Sequence, residues 1–181
     1  LDANQMLLET AIYMEFGDFS ELNISNLDIG DTLNIPIEIE SLTGHRFPSG
    51  TSFTREAWLE LIVSNEGDTL FSSGVIGSQL QKLDLSDDNL LLFTTWLLDE
   101  NGDTTYKAGD THDFIDRSLP ALENRYHTYH FIIGSYLPEI LKIDARMRFR
   151  PLKPEAFSDS NYDLIFDVPI YNIIEIEATI D

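Results

Sequence analysis

From Thr32 to Glu40 the chain reads Thr-Leu-Asn-Ile-Pro-Ile-Glu-Ile-Glu, placing Leu33, Ile35, Ile37 and Ile39 on one side and Asn34, Pro36, Glu38 and Glu40 on the other. Alternation of this kind marks a strand with one buried and one wet face, the ordinary condition of an antiparallel sheet. Pro36 has no N–H to give to a ladder, so the pattern predicts an edge strand or a bulge there. Glu56 to Val63 repeats the alternation, with Ala57, Leu59, Leu61 and Val63 opposed to Trp58, Glu60 and Ile62. Together with Leu33 to Ile39, Leu59, Leu61 and Val63 are the expected core. Further strands are predicted at Thr10–Phe16, Leu70–Ser73, Leu91–Leu97, Thr128–Ser135, Ile140–Arg148 and Ile173–Ile180. Polar turns separate several of them: Asn65-Glu66-Gly67-Asp68, Asp87-Asp88-Asn89 and Asn101-Gly102-Asp103. About eight short strands with polar turns predict an all-β fold, an antiparallel β-sandwich of immunoglobulin-like size. Short helices are expected near Ala3–Leu8 and Pro154–Ser158. No repeat, low-complexity tract or linker divides residues 1–181, so the expectation is a single domain.

Charge and composition narrow the functions open to such a fold. The 181 residues carry 11 Lys+Arg against 32 Asp+Glu, a net charge of −21. Such a surface repels phosphate backbones, which argues against nucleic acid as a partner. Aromatic residues make up 11% of the chain, which argues against disorder. No apolar run approaches the ~18 residues of a membrane span. Cysteine is absent, which removes disulfides, thiolate zinc sites, cysteine nucleophiles and haem attached through Cys-x-x-Cys-His. The chain opens on Leu1 with no signal-peptide pattern, so either a leader has been removed or these residues are a fragment, and the expectation is a processed exported protein, periplasmic or extracellular.

Chemistry-bearing patterns are sparse. There is no Gly-x-Ser-x-Gly elbow, phosphate loop, dinucleotide fingerprint or His-Glu-x-x-His, and the expectation is that the protein is not an enzyme. With so many acidic residues, no particular carboxylate pair can be singled out for glycosidase chemistry. Of the histidines His45, His112, His127 and His130, the last two lie three apart in a predicted strand and so point to opposite faces. Asp99, Asn101 and Asp103 offer oxygen ligands around Gly102, a candidate calcium site, although a plain hairpin turn explains them equally well. Asp110, Asp113 and Asp116 around His112 read as a solvated acidic loop.

One segment stands out: Leu42-Thr43-Gly44-His45-Arg46-Phe47-Pro48-Ser49-Gly50, followed by Arg55-Glu56-Ala57-Trp58-Leu59-Glu60-Leu61. Two glycines and a proline shape a tight connection leaving a strand. Arg46 and Arg55 sit close together in a very acidic chain, so pairing with carboxylates that fixes the loop is expected. Trp58 opposes the aliphatic face of its strand, positioned to cover a second layer or a partner. A well-packed connecting loop accounts for the same residues.

Thr43 to Gly50, Arg55 to Leu61, Gly67 and Phe71-Ser72-Ser73-Gly74 resemble, in order, the signature of the β-rich C-terminal domain of exported multihaem c-type cytochromes. Ala145-Arg146-Met147-Arg148-Phe149-Arg150 and Pro154-Glu155-Ala156-Phe157 resemble a later passage of that family. The resemblance runs over roughly residues 32 to 157. It implies a non-catalytic module that docks to or scaffolds a multihaem c-type cytochrome or other subunit. With no cysteine among these residues to attach a haem, either the haem region lies on a part outside them or haem sits on a partner chain beside which this one works. His45, Arg46, Phe47, Arg55 and Trp58 are then the candidate partner or haem contacts. His45 is either an axial ligand to a partner's iron, since neutral imidazole suits iron, or a histidine that orders the loop. A ligand role requires an acceptor that fixes the other ring nitrogen. The alternative class is a secreted ligand- or carbohydrate-binding sandwich, calcium-stabilised, that stacks sugars on Trp58, Trp96 and tyrosines.

Overall fold

The computed structural model describes residues 3–19, 24–157 and 168–181. The alternating segments become strands: β1 (Ile12–Phe16), β2 (Thr32–Ser41), β3 (Glu56–Asn65), β4 (Asp68–Ser73), β5 (Leu92–Phe93), β6 (Thr95–Leu98), β7 (Thr104–Thr105), β8 (Asp113–Asp116), β9 (Asn124–Ile132), β10 (Leu141–Arg150) and β11 (Tyr171–Ile180). One helix, α1 (Ala3–Leu8), precedes them, and the pairings are antiparallel. A sheet ordered β1-β2-β9 packs on one ordered β11-β10-β3-β4, with β5 also paired to β3. A small sheet ordered β7-β6-β8 stands beside them. The architecture is an all-β antiparallel sandwich.

The core forms where the alternating faces of the two larger sheets meet. Leu33, Ile35, Ile37 and Ile39 from β2 and Leu59, Leu61 and Val63 from β3 are 0 to 1% exposed, as the alternation requires. Each such side chain contributes about 1.5–3 kcal/mol relative to leaving it in water. Leu141, Ile143, Ala145 and Met147 extend the same layer along β10. Tyr129 of β9 spans the gap between the sheets, donating its hydroxyl to Leu59 O at 3.4 Å with Phe71 edge-on to its ring. Burial pushes its phenol far above the usual tyrosine range, so it stays neutral.

Four expectations need correction. β2 is the central strand of its sheet, although it contains Pro36. The missing donor faces Gly17, just past the end of β1, where the Gly17 N–H still donates to Pro36 O at 2.8 Å. A Cβ on Gly17 would lie 2.8 Å from Pro36 Cγ, so only glycine leaves room for the ring at that point. The predicted strand Leu91–Leu97 is broken at Thr94, and its halves β5 and β6 join different sheets. Thr94 is buried and donates its hydroxyl to Arg55 O at 2.8 Å, which holds the break. Asp113–Asp116, read as a solvated loop, is the edge strand β8 paired to β6. Pro154–Phe157 is a 3₁₀ turn rather than an α-helix, and the predicted end at Ser158 lies outside the described residues.

Candidate functional site

The loop from β2 to β3 is ordered by its own short polar side chains. Ser41 Oγ meets Thr43 Oγ1 at 3.0 Å, and Thr43 Oγ1 donates to His45 O at 2.6 Å. Phe47 and Leu119 exchange both backbone hydrogen bonds, at 2.8 and 2.7 Å, which ties the loop to the chain beyond β8. Arg55 reaches back to donate to Ser49 O at 2.7 Å. A Cβ on Gly50, whose φ is +73°, would crowd Arg55 Nη1 at 3.1 Å, so glycine permits both the left-handed turn and this approach. Arg46 turns aside to Asp116 at 3.1 Å. Burial works to raise the Asp116 carboxyl, but bonds from Ser118 and the Arg46 charge prevail and hold it below its usual range. One arginine thus finds the expected carboxylate, whereas Arg55 anchors on a backbone carbonyl.

These anchors are unequal. Arg55→Ala is expected to cost about 1.5–3 kcal/mol, the range for a charge-assisted hydrogen bond shielded from water. The Arg46 side chain is 58% exposed, and Arg46→Ala is expected to cost under ~1 kcal/mol. Urea melts of both variants measure the contrast. Equal losses, or a change within about ±0.5 kcal/mol for Arg55→Ala, would show that the loop is held some other way.

His45 is exposed at the rim of a groove of about 430 Å³, which Leu8, Leu42, Phe47, Pro48, Arg55 and Phe149 also line. Its Nδ1 lies 3.1 Å from Arg46 O. A carbonyl oxygen only accepts, so Nδ1 carries the proton, and in the neutral ring Nε2 keeps its lone pair. The loop therefore fixes the tautomer and orientation that a metal-ligating histidine needs.

Of the five sequence candidates, His45, Phe47 and Arg55 line this groove. Phe47 is 4% exposed and belongs to the core, packing its ring 6.0 Å from Phe149, so it is no surface contact. Trp58 lies elsewhere and is fully buried beneath Ile76, Leu83, Leu90 and Leu92, with Nε1 donating to Gly74 O at 2.8 Å. It covers a second layer of the protein itself, so it is not available to a partner or as a sugar platform. Trp96 is half-buried, with Arg117 at 5.0 Å and Lys153 at 5.9 Å over its ring.

Register explains the two motifs that the sequence left separate. β3 and β10 pair Glu60 with Arg146, Trp58 with Arg148 and Glu56 with Arg150. Glu60 accepts from Arg146 at 3.2 Å and Arg148 at 2.6 Å, and Glu56 accepts from Arg150. The Arg148 and Arg150 guanidiniums lie 5.7 and 5.5 Å from the Trp58 ring centre. The alternating acids of one strand and arginines of the other form a single ladder on the outer face of the sheet. Period-two spacing in both segments was the signal that could have joined them.

At Asp99 the carboxylate accepts from the backbone N–H of Asn101 and Asp103, at 2.8 and 3.0 Å. Those bonds hold its acid below the usual range, and the arrangement is that of a turn closing β6 onto β7. Among the described residues no three His, Asp or Glu side chains gather as metal ligands. His127 and His130 do face opposite ways. His127 is half-buried and held below its usual range by that burial, whereas His130 is exposed with Nδ1 2.7 Å from Asn34 Oδ1. No described helix is long and apolar enough to cross a membrane.

No family model and no curated protein matches this sequence. Among solved structures the chain is similar to a penta-heme cytochrome c552 from Thermochromatium tepidum, with a TM-score of 0.66 and 18% identity. The similarity covers 97% of this chain and 41% of that one, so this chain spans less than half that length. At this identity the likeness establishes a shared fold.

Proposed function

We propose that this chain is a non-catalytic β-sandwich module of an exported electron-transfer assembly, docking to a multihaem c-type cytochrome chain through the His45 loop. The carrying observation is His45 itself, an exposed imidazole whose Nδ1–H is engaged by Arg46 O and whose Nε2 is free at the rim of an apolar groove. The fold shared with a penta-heme cytochrome supports the choice of partner. His45 Nε2 is the group suited to an iron on that partner, and the exposed Leu42 is suited to cover the apolar edge of a haem. With Trp58 buried, the loop is the docking face that remains of the two the sequence offered. The net charge of −21 steers a basic partner surface toward the chain and makes association slow as salt rises. The burial of Trp58 weighs against the carbohydrate-binding alternative.

The test is purification from the native source with an absorbance scan. The chain is expected to elute with a Soret-absorbing protein and to crosslink to it through residues of Thr43–Gly50. His45→Ala in that complex is expected to alter the haem absorption spectrum while the isolated chain keeps its melting temperature. Elution alone as a monomer without Soret absorbance would overturn the proposal. An intact complex with an unchanged spectrum would assign His45 to loop ordering alone.

A further inference from the structure

A second cavity, of about 260 Å³, lies on the outer side of the five-stranded sheet, under the same chain segment that covers Trp58. Its wall includes Leu83, Leu85, Leu92, Trp96 and Tyr106, and Lys153 reaches it from just before the Pro154–Phe157 turn. Lys153 is 2% exposed, an unusual place for a lysine. Its backbone is fixed by the bond from Lys153 N to Thr54 O at 2.8 Å. The ammonium brings three donors. Among the described residues it meets one hydrogen-bond acceptor, Thr95 O at 3.2 Å, with the Trp96 and Tyr106 rings each 5.9 Å away.

Among the described residues, the charges around it leave a cation in excess. Glu56 is taken up by Arg150, and Lys82 and Glu155 complete the lining. Among the described residues the buried cations Arg150 and Lys153 and the exposed Lys82 thus stand against two carboxylates, Glu56 and Glu155, in a chain whose net charge is −21. A buried ammonium with one acceptor among the described residues, set against aliphatic and aromatic walls, suits an anionic acceptor attached to an apolar body.

We infer that this cavity binds a small organic monocarboxylate, its oxygens accepting from Lys153 and its hydrocarbon part lying against Leu83, Leu85 and Leu92. The inference is independent of the docking proposal, since it uses a different cavity and different residues. Burial lowers the Lys153 amine to about 8, against the pull of Glu56 and Glu155. Burial thus makes its proton easy to lose, and a bound carboxylate would hold it in place. Binding is then coupled to proton uptake and weakens as pH rises through that range. Tyr106, pushed up to about 12 by burial, stays neutral throughout and does not confuse the profile.

Benzoate is the probe, with benzyl alcohol as the uncharged control of similar shape, and binding is read from the indole N–H signal of Trp96 by nuclear magnetic resonance. Benzoate is expected to shift that signal saturably at pH 7, binding about tenfold or more tighter than benzyl alcohol, the worth of one charge-assisted bond. Its affinity is expected to fall by a similar factor by pH 10, and Lys153→Met to abolish the preference. The pH series on the unaltered protein keeps the test valid if that variant folds poorly. No saturable shift, equal binding of the two probes, or an affinity flat from pH 7 to 10 would each overturn the inference.

Discussion

Glu56→Ala is expected to destabilise the protein by about 3–5 kcal/mol, the cost of leaving a buried guanidinium without its partner. Glu56 and Arg150 are 4% and 0% exposed, and the arginine makes its remaining bonds to Gln79 O and Gln81 O at 2.7 and 2.9 Å. It thereby ties the segment over the sheet to the sheet itself. The pair need not contribute net stability, because taking both charges from water costs about what their attraction returns. The double replacement Glu56→Leu with Arg150→Met is therefore expected to recover much of the loss, and urea melts of the single and double variants measure it. If the single variant alone lost less than ~1 kcal/mol, the guanidinium would have to be reaching water. The same pair sets a pH dependence. Burial raises the Glu56 carboxyl above its ordinary 4.5, with Arg150 opposing. A raised acid binds more protons folded than unfolded, so its contribution falls as pH rises from the ordinary value through the raised one. Glu56→Gln is expected to flatten that part of the stability profile.

Trp58→Ala is expected to cost about 3–5 kcal/mol, as removal of a large fully buried aromatic does. The site cannot collapse easily, since Arg148 and Arg150 lie over the ring and Gly74 is pressed against the strand. A Cβ on Gly74 would sit 2.5 Å from Leu59 O at a φ of +69°, so the backbone there has no slack. Trp58→Phe keeps most of the volume but loses the donor to Gly74 O, and is expected to cost about 1–3 kcal/mol. Near-ultraviolet circular dichroism with urea melts separates the two losses. A stable Trp58→Ala variant that fails to bind a cytochrome would return Trp58 to the docking face and overturn its role as a core residue.

Much of the fold is legible because each strand carries its own instruction. Leu33, Ile35, Ile37 and Ile39 can share a face only if Thr32–Ser41 is extended, and the buried faces of β3 and β10 follow the same rule. The histidine at position 45 was legible as a candidate because a short loop with two glycines and a proline presents few side chains. Its fixing acceptor was not, since Arg46 O is a backbone atom that becomes available only in one loop conformation. Phe47 and Trp58 misled for a different reason. An aromatic residue next to a motif reads the same whether it faces water or a second layer, and only the chain that returns over it decides.

Residue type and local period were enough for the sandwich class, the two long alternating strands, the absence of cysteine chemistry and the position of the ordered histidine loop. They were not enough to make β2 central, to split one strand between two sheets at Thr94, or to bring Glu56, Trp58 and Glu60 against Arg150, Arg148 and Arg146. Nor could they place Lys153 in a cavity. Those outcomes rest on which strands pair and which segment closes over them, contacts between residues far apart in sequence that no local pattern encodes.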